Sequence, residues 1–150
     1  LSKCDYCAFS SQPLEPQRLE QTCHLLLREM ELAASWYPHN QPLRSLYFGG
    51  GTPSLLAPEQ ISRLIDHSRE LFGHTNSIEI TLEANPGTVN LAALRSYRQA
   101  GVTRLSLGAQ SFNDRMLQTL GRRHTADETR RAFQLAQQAG FSSIGLDLIC

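Results

Sequence analysis

Two short stretches, Gln99-Ala100-Gly101-Val102 and Gln138-Ala139-Gly140-Phe141, decide the fold. Each closes an amphipathic helical pattern on a glycine and leads into an apolar run: Arg104 to Leu107 after the first, Ile144 to Ile149 after the second. Glycine stops helices because it accepts a positive φ without steric cost. A repeated helix-end-to-strand unit predicts parallel neighbouring strands.

The rest of the chain fits that alternation. A first helix after Pro13 places Leu19, Cys23, Leu26, Leu27, Met30 and Ala34 along one face. Pro38, Asn40 and Pro42 break the pattern, and Leu46-Tyr47-Phe48 reads as a short buried strand. A second helix opens near Pro58, a favoured first-turn residue, with Ile61, Leu64, Ile65, Leu71 and Phe72 on one side. A strand over Ile78–Leu82 and a third helix around Leu91, Leu94 and Tyr97 follow. A fourth helix begins at Thr125-Ala126-Asp127-Glu128, a capping-box pattern. The order is α/β, and pattern alone fits either a doubly wound sheet or a (β/α) barrel. Polar residues and glycines gather at four successive strand ends, where both architectures bind ligands. Four ends serving one site favour the barrel, whose loops converge on a ring.

Composition narrows the function classes. The formal charge is zero, from 14 basic and 14 acidic residues, which argues against nucleic acid as partner. No apolar run approaches the roughly 20 residues of a membrane span, and no signal peptide is visible, so a cytoplasmic protein is expected. In that compartment Cys4-Asp5-Tyr6-Cys7 reads as half a zinc site, a redox pair or part of an iron–sulfur ligand set. Cys23 and Cys150 sit in apolar patterns and read as packing residues. The chain begins at Leu1 and stops in an apolar run, so both ends are expected to be cut.

Four further motifs carry candidate chemistry. Tyr47-Phe48-Gly49-Gly50-Gly51-Thr52-Pro53-Ser54 lets a ligand approach the backbone, though a tight turn is an equal reading. Glu83-Ala84-Asn85-Pro86 sets a carboxylate at a strand end. Arg104 to Asn113, followed by Leu120-Gly121-Arg122-Arg123-His124, offers Gln110 and Arg122 to a ligand, with His124 read as a loop histidine. Asp147, an acid within an apolar strand, is costly to bury alone and is expected to face the site.

In this order the motifs resemble those of the radical S-adenosylmethionine (SAM) family, in the branch of oxygen-independent coproporphyrinogen III oxidase and its heme-chaperone relative. The resemblance covers essentially the whole chain and implies an incomplete (β/α) TIM-like barrel of the radical SAM type, with residues 1–150 supplying middle strands of its core domain. The family signature is Cys-x-x-x-Cys-x-x-Cys with an aromatic residue before the third cysteine. Cys4 and Cys7 then stand as second and third metal ligands and Tyr6 as the aromatic, and the first ligand would fall immediately ahead of Leu1. The resemblance assigns Gly50, Gly51, Thr52, Glu83, Gln110, Arg122 and Asp147 to SAM binding, including a second SAM in the oxidase branch.

The cofactors implied are a [4Fe–4S] cluster and SAM. Three thiolates leave one iron open for SAM, whose sulfonium an electron from the cluster cleaves. No side chain is assigned a catalytic role. The oxidase carries a fourth cysteine two residues after the third, where this chain has Phe9. That departure favours a chaperone that binds heme and passes it to acceptor proteins, over an oxidase that decarboxylates coproporphyrinogen III to protoporphyrinogen IX. Heme or a porphyrinogen is the expected small-molecule partner, and neither the acceptor protein nor the electron donor is specified.

Overall fold

A computed structural model of the chain describes residues 4, 6–8, 15–36 and 41–149. Phe9, Pro13, Pro38, Asn40 and Cys150, singled out above, lie outside them. Four strands, β1 (Leu43–Phe48), β2 (His74–Ala84), β3 (Arg104–Gln110) and β4 (Ser143–Leu148), form one parallel sheet in the order β1-β2-β3-β4. The helices are α1 (Pro16–Trp36), α2 (Pro58–Phe72), α3 (Leu91–Gln99), α4 (Asp114–Thr119) and α5 (Ala126–Gln138). Parallel neighbours need crossovers, and α2, α3 and the α4–α5 pair supply them.

The repeated QAG stretch has the same geometry both times. Gly101 (φ +110°) and Gly140 (φ +91°) turn the chain where a side chain would be strained. The Val102 N–H donates to Tyr97 O at 3.0 Å and the Phe141 N–H to Ala136 O at 3.1 Å, the same helix-closing bond. Both residues after the glycines are buried. Arg98 ties the two copies together, donating to Val102 O (3.1 Å) and Gly140 O (3.3 Å) and lying over the Phe141 ring.

One sheet face is apolar. Ile80 and Leu82 of β2 and Leu105 and Leu107 of β3 are buried with Ile61, Leu64 and Ile65 of α2, Leu94 and Tyr97 of α3, and Ala132 and Ala136 of α5. Full burial of each large aliphatic contributes roughly 1.5–3 kcal/mol. Cys23 of α1 is fully buried in this core, the packing role expected of it. The helices form a single row, α1 against α2, α2 against α3 and α3 against α5. A doubly wound sheet reverses strand order at its switch point and covers both faces with helices. Here order follows sequence and one face carries the helices. This is a section of a barrel wall.

The opposite face is polar. Alternation along the strands puts Tyr47, Glu79, Thr81, Glu83, Arg104, Ser106 and Asp147 on it. They pair with one another: within β2 Thr81 Oγ1 donates to Glu79 Oε1 (3.1 Å), and across strands Arg104 Nη1 meets Glu79 Oε2 (3.6 Å) and Ser106 Oγ lies 3.1 Å from each oxygen of Asp147.

The structure corrects several boundaries. Leu46–Phe48 belongs to a six-residue strand, and Tyr47 is 59% exposed rather than buried, because it points to the polar face. The strand expected over Ile78–Leu82 runs from His74 to Ala84, and β3 continues to Gln110. Leu26 lies 37% exposed, off the packed face of α1. Helix α4, capped by Asn113, was not expected. Its six residues are too short to show a period.

Candidate functional site

The carboxyl ends of β1, β2 and β3 bring most of the sequence-derived candidates into two adjoining groups. In the first, Glu83 is gripped from β1 and its loop. Tyr47 Oη donates to Glu83 Oε1 at 2.7 Å, and the Gly50 N–H donates to Oε2 at 3.2 Å. Gly50 (φ +81°) and Gly51 (φ +61°) hold left-handed conformations that shape this loop. The turn that follows is anchored by Tyr97, whose buried hydroxyl lies 2.9 Å from both Ser54 O and Leu56 O. Burial pushes the Tyr97 phenol up.

The second group centres on Arg122. Its Nη2 donates to Gly108 O (2.7 Å) and to Asn85 Oδ1, and Asn85 Nδ2 donates to Thr52 Oγ1 (3.2 Å). Its Nη1 lies 3.4 Å from Cys4 Sγ and 3.5 Å from Tyr6 Oη. The Cys7 N–H donates to Cys4 O (3.0 Å), so both thiols sit on one turn docked on the guanidinium. Burial pushes the Tyr6 phenol up, with the Arg122 charge opposing. A side chain at position 108 would crowd Arg122 Nη2 at 3.1 Å and Gln110 Nε2 at 3.0 Å, so glycine keeps this space clear.

Gln110 takes φ +63°, uncommon for a residue with a Cβ, and the Ser111 N–H closes a tight turn on Ala109 O at 2.7 Å. Such strain costs of order 1–3 kcal/mol and gathers at functional positions. Asp147 stands apart, exposed and paired with Ser106 rather than joined to the Arg122 group. His124 is buried beside Ala109 O (3.2 Å), the loop role expected of it. It lines a cleft of about 210 Å³ with Cys4, Asn85, Arg122 and Glu128.

Tyr47, Asn85 and Ser106 were not among the candidates. Each lies within or beside a stretch already read as chemistry. Their partners are 36, 37 and 41 residues away, a distance at which local pattern is silent.

The family model for the Radical SAM superfamily matches residues 2–150. The chain belongs to the radical SAM superfamily. It is 40% identical over 153 residues to the heme chaperone HemW of Haemophilus influenzae, covering 99% of this chain and 40% of that protein. To the heme chaperone HemW of Escherichia coli it is 37% identical, covering 99% of this chain and 39% of that one. Among solved structures, the radical SAM enzyme coproporphyrinogen III oxidase (HemN) of Escherichia coli matches with a TM-score of 0.85 and 30% identity, over 98% of this chain and 34% of that chain. The chain thus spans about 40% of the length of the curated relatives it matches. The likeness to HemN settles the barrel reading over the doubly wound sheet.

Membership in the radical SAM superfamily implies a [4Fe–4S] cluster and SAM. The side chains fit such a group in part. Cys4 and Cys7 are free, half-buried thiols, and a guanidinium beside Cys4 complements a metal-bound thiolate. The buried Arg122 Nε has no acceptor among the described residues, a donor still open to a ligand. No three His, Cys, Asp or Glu side chains converge as a metal site among the described residues. No helix among them is long and apolar enough to cross a membrane.

Proposed function

We propose that residues 1–150 form part of the radical SAM core domain of a cytoplasmic HemW-type heme chaperone, which binds heme and transfers it to acceptor proteins. The observation that carries the reading is the docking of the Cys4–Cys7 turn on Arg122, at the strand ends where Thr52, Asn85 and Gly108 meet. Cys4 and Cys7 ligate two irons of the cluster, and Tyr6 packs the turn against Arg122. Gly50, Gly51, Thr52, Glu83, Gln110, Arg122 and Asp147 hold SAM. The cluster with SAM supplies one-electron reductive chemistry when bound. The chain's own contribution is to fix that pair: Arg122 spans the cysteine turn and two strand ends, and Glu83 stands pre-oriented by two donors.

The identity of 40% to a heme chaperone supports this branch, as does Phe9 where the oxidase carries a cysteine. The second reading, an oxygen-independent coproporphyrinogen III oxidase, draws support from the TM-score of 0.85 to HemN. One experiment separates them. The full-length protein is reconstituted anaerobically with iron and sulfide, then offered heme and, separately, coproporphyrinogen III with SAM and a reductant. Tight heme binding with coproporphyrinogen left unconsumed is the expected result. SAM-dependent decarboxylation moves the assignment to the oxidase.

A further inference from the structure

Tyr47 has no place in the ligand set above, yet the structure builds around it. Its ring lies over Gly49, where a Cβ would come within 2.7 Å of Tyr47 Cε1 and 3.2 Å of Glu83 Oε1. Gly49 has no positive φ to explain it, unlike Gly50 and Gly51. The glycine is there for the space that Tyr47 and Glu83 occupy. The ring is 59% exposed on the polar face, and its hydroxyl is spent on one acceptor. The hydrogen bond to Glu83 pushes the Tyr47 phenol from its ordinary 10.0 up to about 12, so it stays a neutral donor across the physiological range. With the Gly50 N–H on the other oxygen, each carboxylate oxygen is held by one donor and retains lone pairs for a further one.

We infer that Tyr47 is a positioning residue, which holds the Glu83 carboxylate in the orientation that receives the N–H or O–H donors of SAM. This rests on the reading of Glu83 as a SAM contact. Freed of the phenol, the side chain would rotate, and SAM would have to restore its orientation on binding.

The test is a double-mutant cycle on the full-length, cluster-loaded protein, with SAM affinity as readout and variants compared at equal iron content. Tyr47→Phe should weaken SAM roughly tenfold, the scale of one charge-assisted hydrogen bond. Glu83→Ala should weaken it at least as much, and the double variant no further, since Tyr47 acts through Glu83. Ultraviolet difference titration against Tyr47→Phe should place the phenol near 12 in the parent protein and closer to 10.0 in Glu83→Ala. Wild-type affinity in Tyr47→Phe beside a weakened Glu83→Ala overturns the inference alone. So do two losses that simply add, which would make Tyr47 independent of Glu83. Unchanged affinity in Glu83→Ala instead removes the reading of Glu83, and the inference with it.

Discussion

His74 and His124 show how burial at single residues becomes a pH dependence. Both imidazoles are held below their ordinary 6.5, chiefly by burial, with Arg69 adding to the effect at His74. The His124 ring lies beside Ala109 O, and His74 Nε2 is paired with Ser68 Oγ at 2.9 Å. A depressed folded pKa means that the unfolded chain takes up the proton first. The stability contributed is complete above 6.5 and is lost as pH falls through the lower folded values. The thermal midpoint of the full-length protein should therefore fall between pH 7.5 and 5.5, and fall less in His74→Gln. An identical drop in the variant would show that His74 is not responsible.

At this same scale the sequence was uneven. Cys4, Cys7 and Glu83 stood out because a close cysteine pair and a carboxylate at a strand end are chemically unusual, and Arg122 because it is a charge in a polar stretch that could reach a ligand. Tyr47 did not, because an aromatic inside an apolar run reads as core, and only the facing direction of its side chain reveals otherwise. Asn85 and Ser106 are small polar residues whose meaning lies in partners far along the chain.

Among the elements, helices were more legible than strands. The capping box at Thr125 is present, with the Glu128 N–H bonded to Thr125 Oγ1 at 3.2 Å and the Thr125 N–H to Glu128 Oε2 at 2.7 Å. Pro58 opens α2 as expected. Strands β1, β2 and β3 came out longer than expected because half of each faces the polar side, and an apolar-run criterion counts only the other half. The element with most bearing on the site is the turn Pro53–Leu55, which follows the glycine loop. It hangs on the Tyr97 hydroxyl and on the Ser54–Thr88 pair at 3.2 Å. Removing the hydroxyl takes away the one donor that the two buried carbonyls share. Tyr97→Phe should speed hydrogen exchange over residues 49–56 by roughly tenfold, equivalent to about 1.4 kcal/mol of local stability. Unchanged exchange there would mean that the loop is held by other contacts.

For the molecule as a whole, the repeated helix-to-strand unit revealed a parallel α/β order, and strand ends rich in polar residues favoured a barrel. The sheet order, which local pattern does not encode, and the likeness to HemN decided it. A parallel sheet in sequence order sends every strand's carboxyl end to one rim. That is why Cys4, Thr52, Asn85, Gly108 and Arg122, spread over more than a hundred residues, form one hydrogen-bonded group. The central claim is that this rim grips a cluster through Cys4 and Cys7. Its most direct test is the iron and sulfide content of the full-length protein after anaerobic reconstitution, beside Cys4→Ala and Cys7→Ala. The account predicts about four irons per chain in the parent protein and loss of most of them in either variant. Full iron retention in both variants would contradict it.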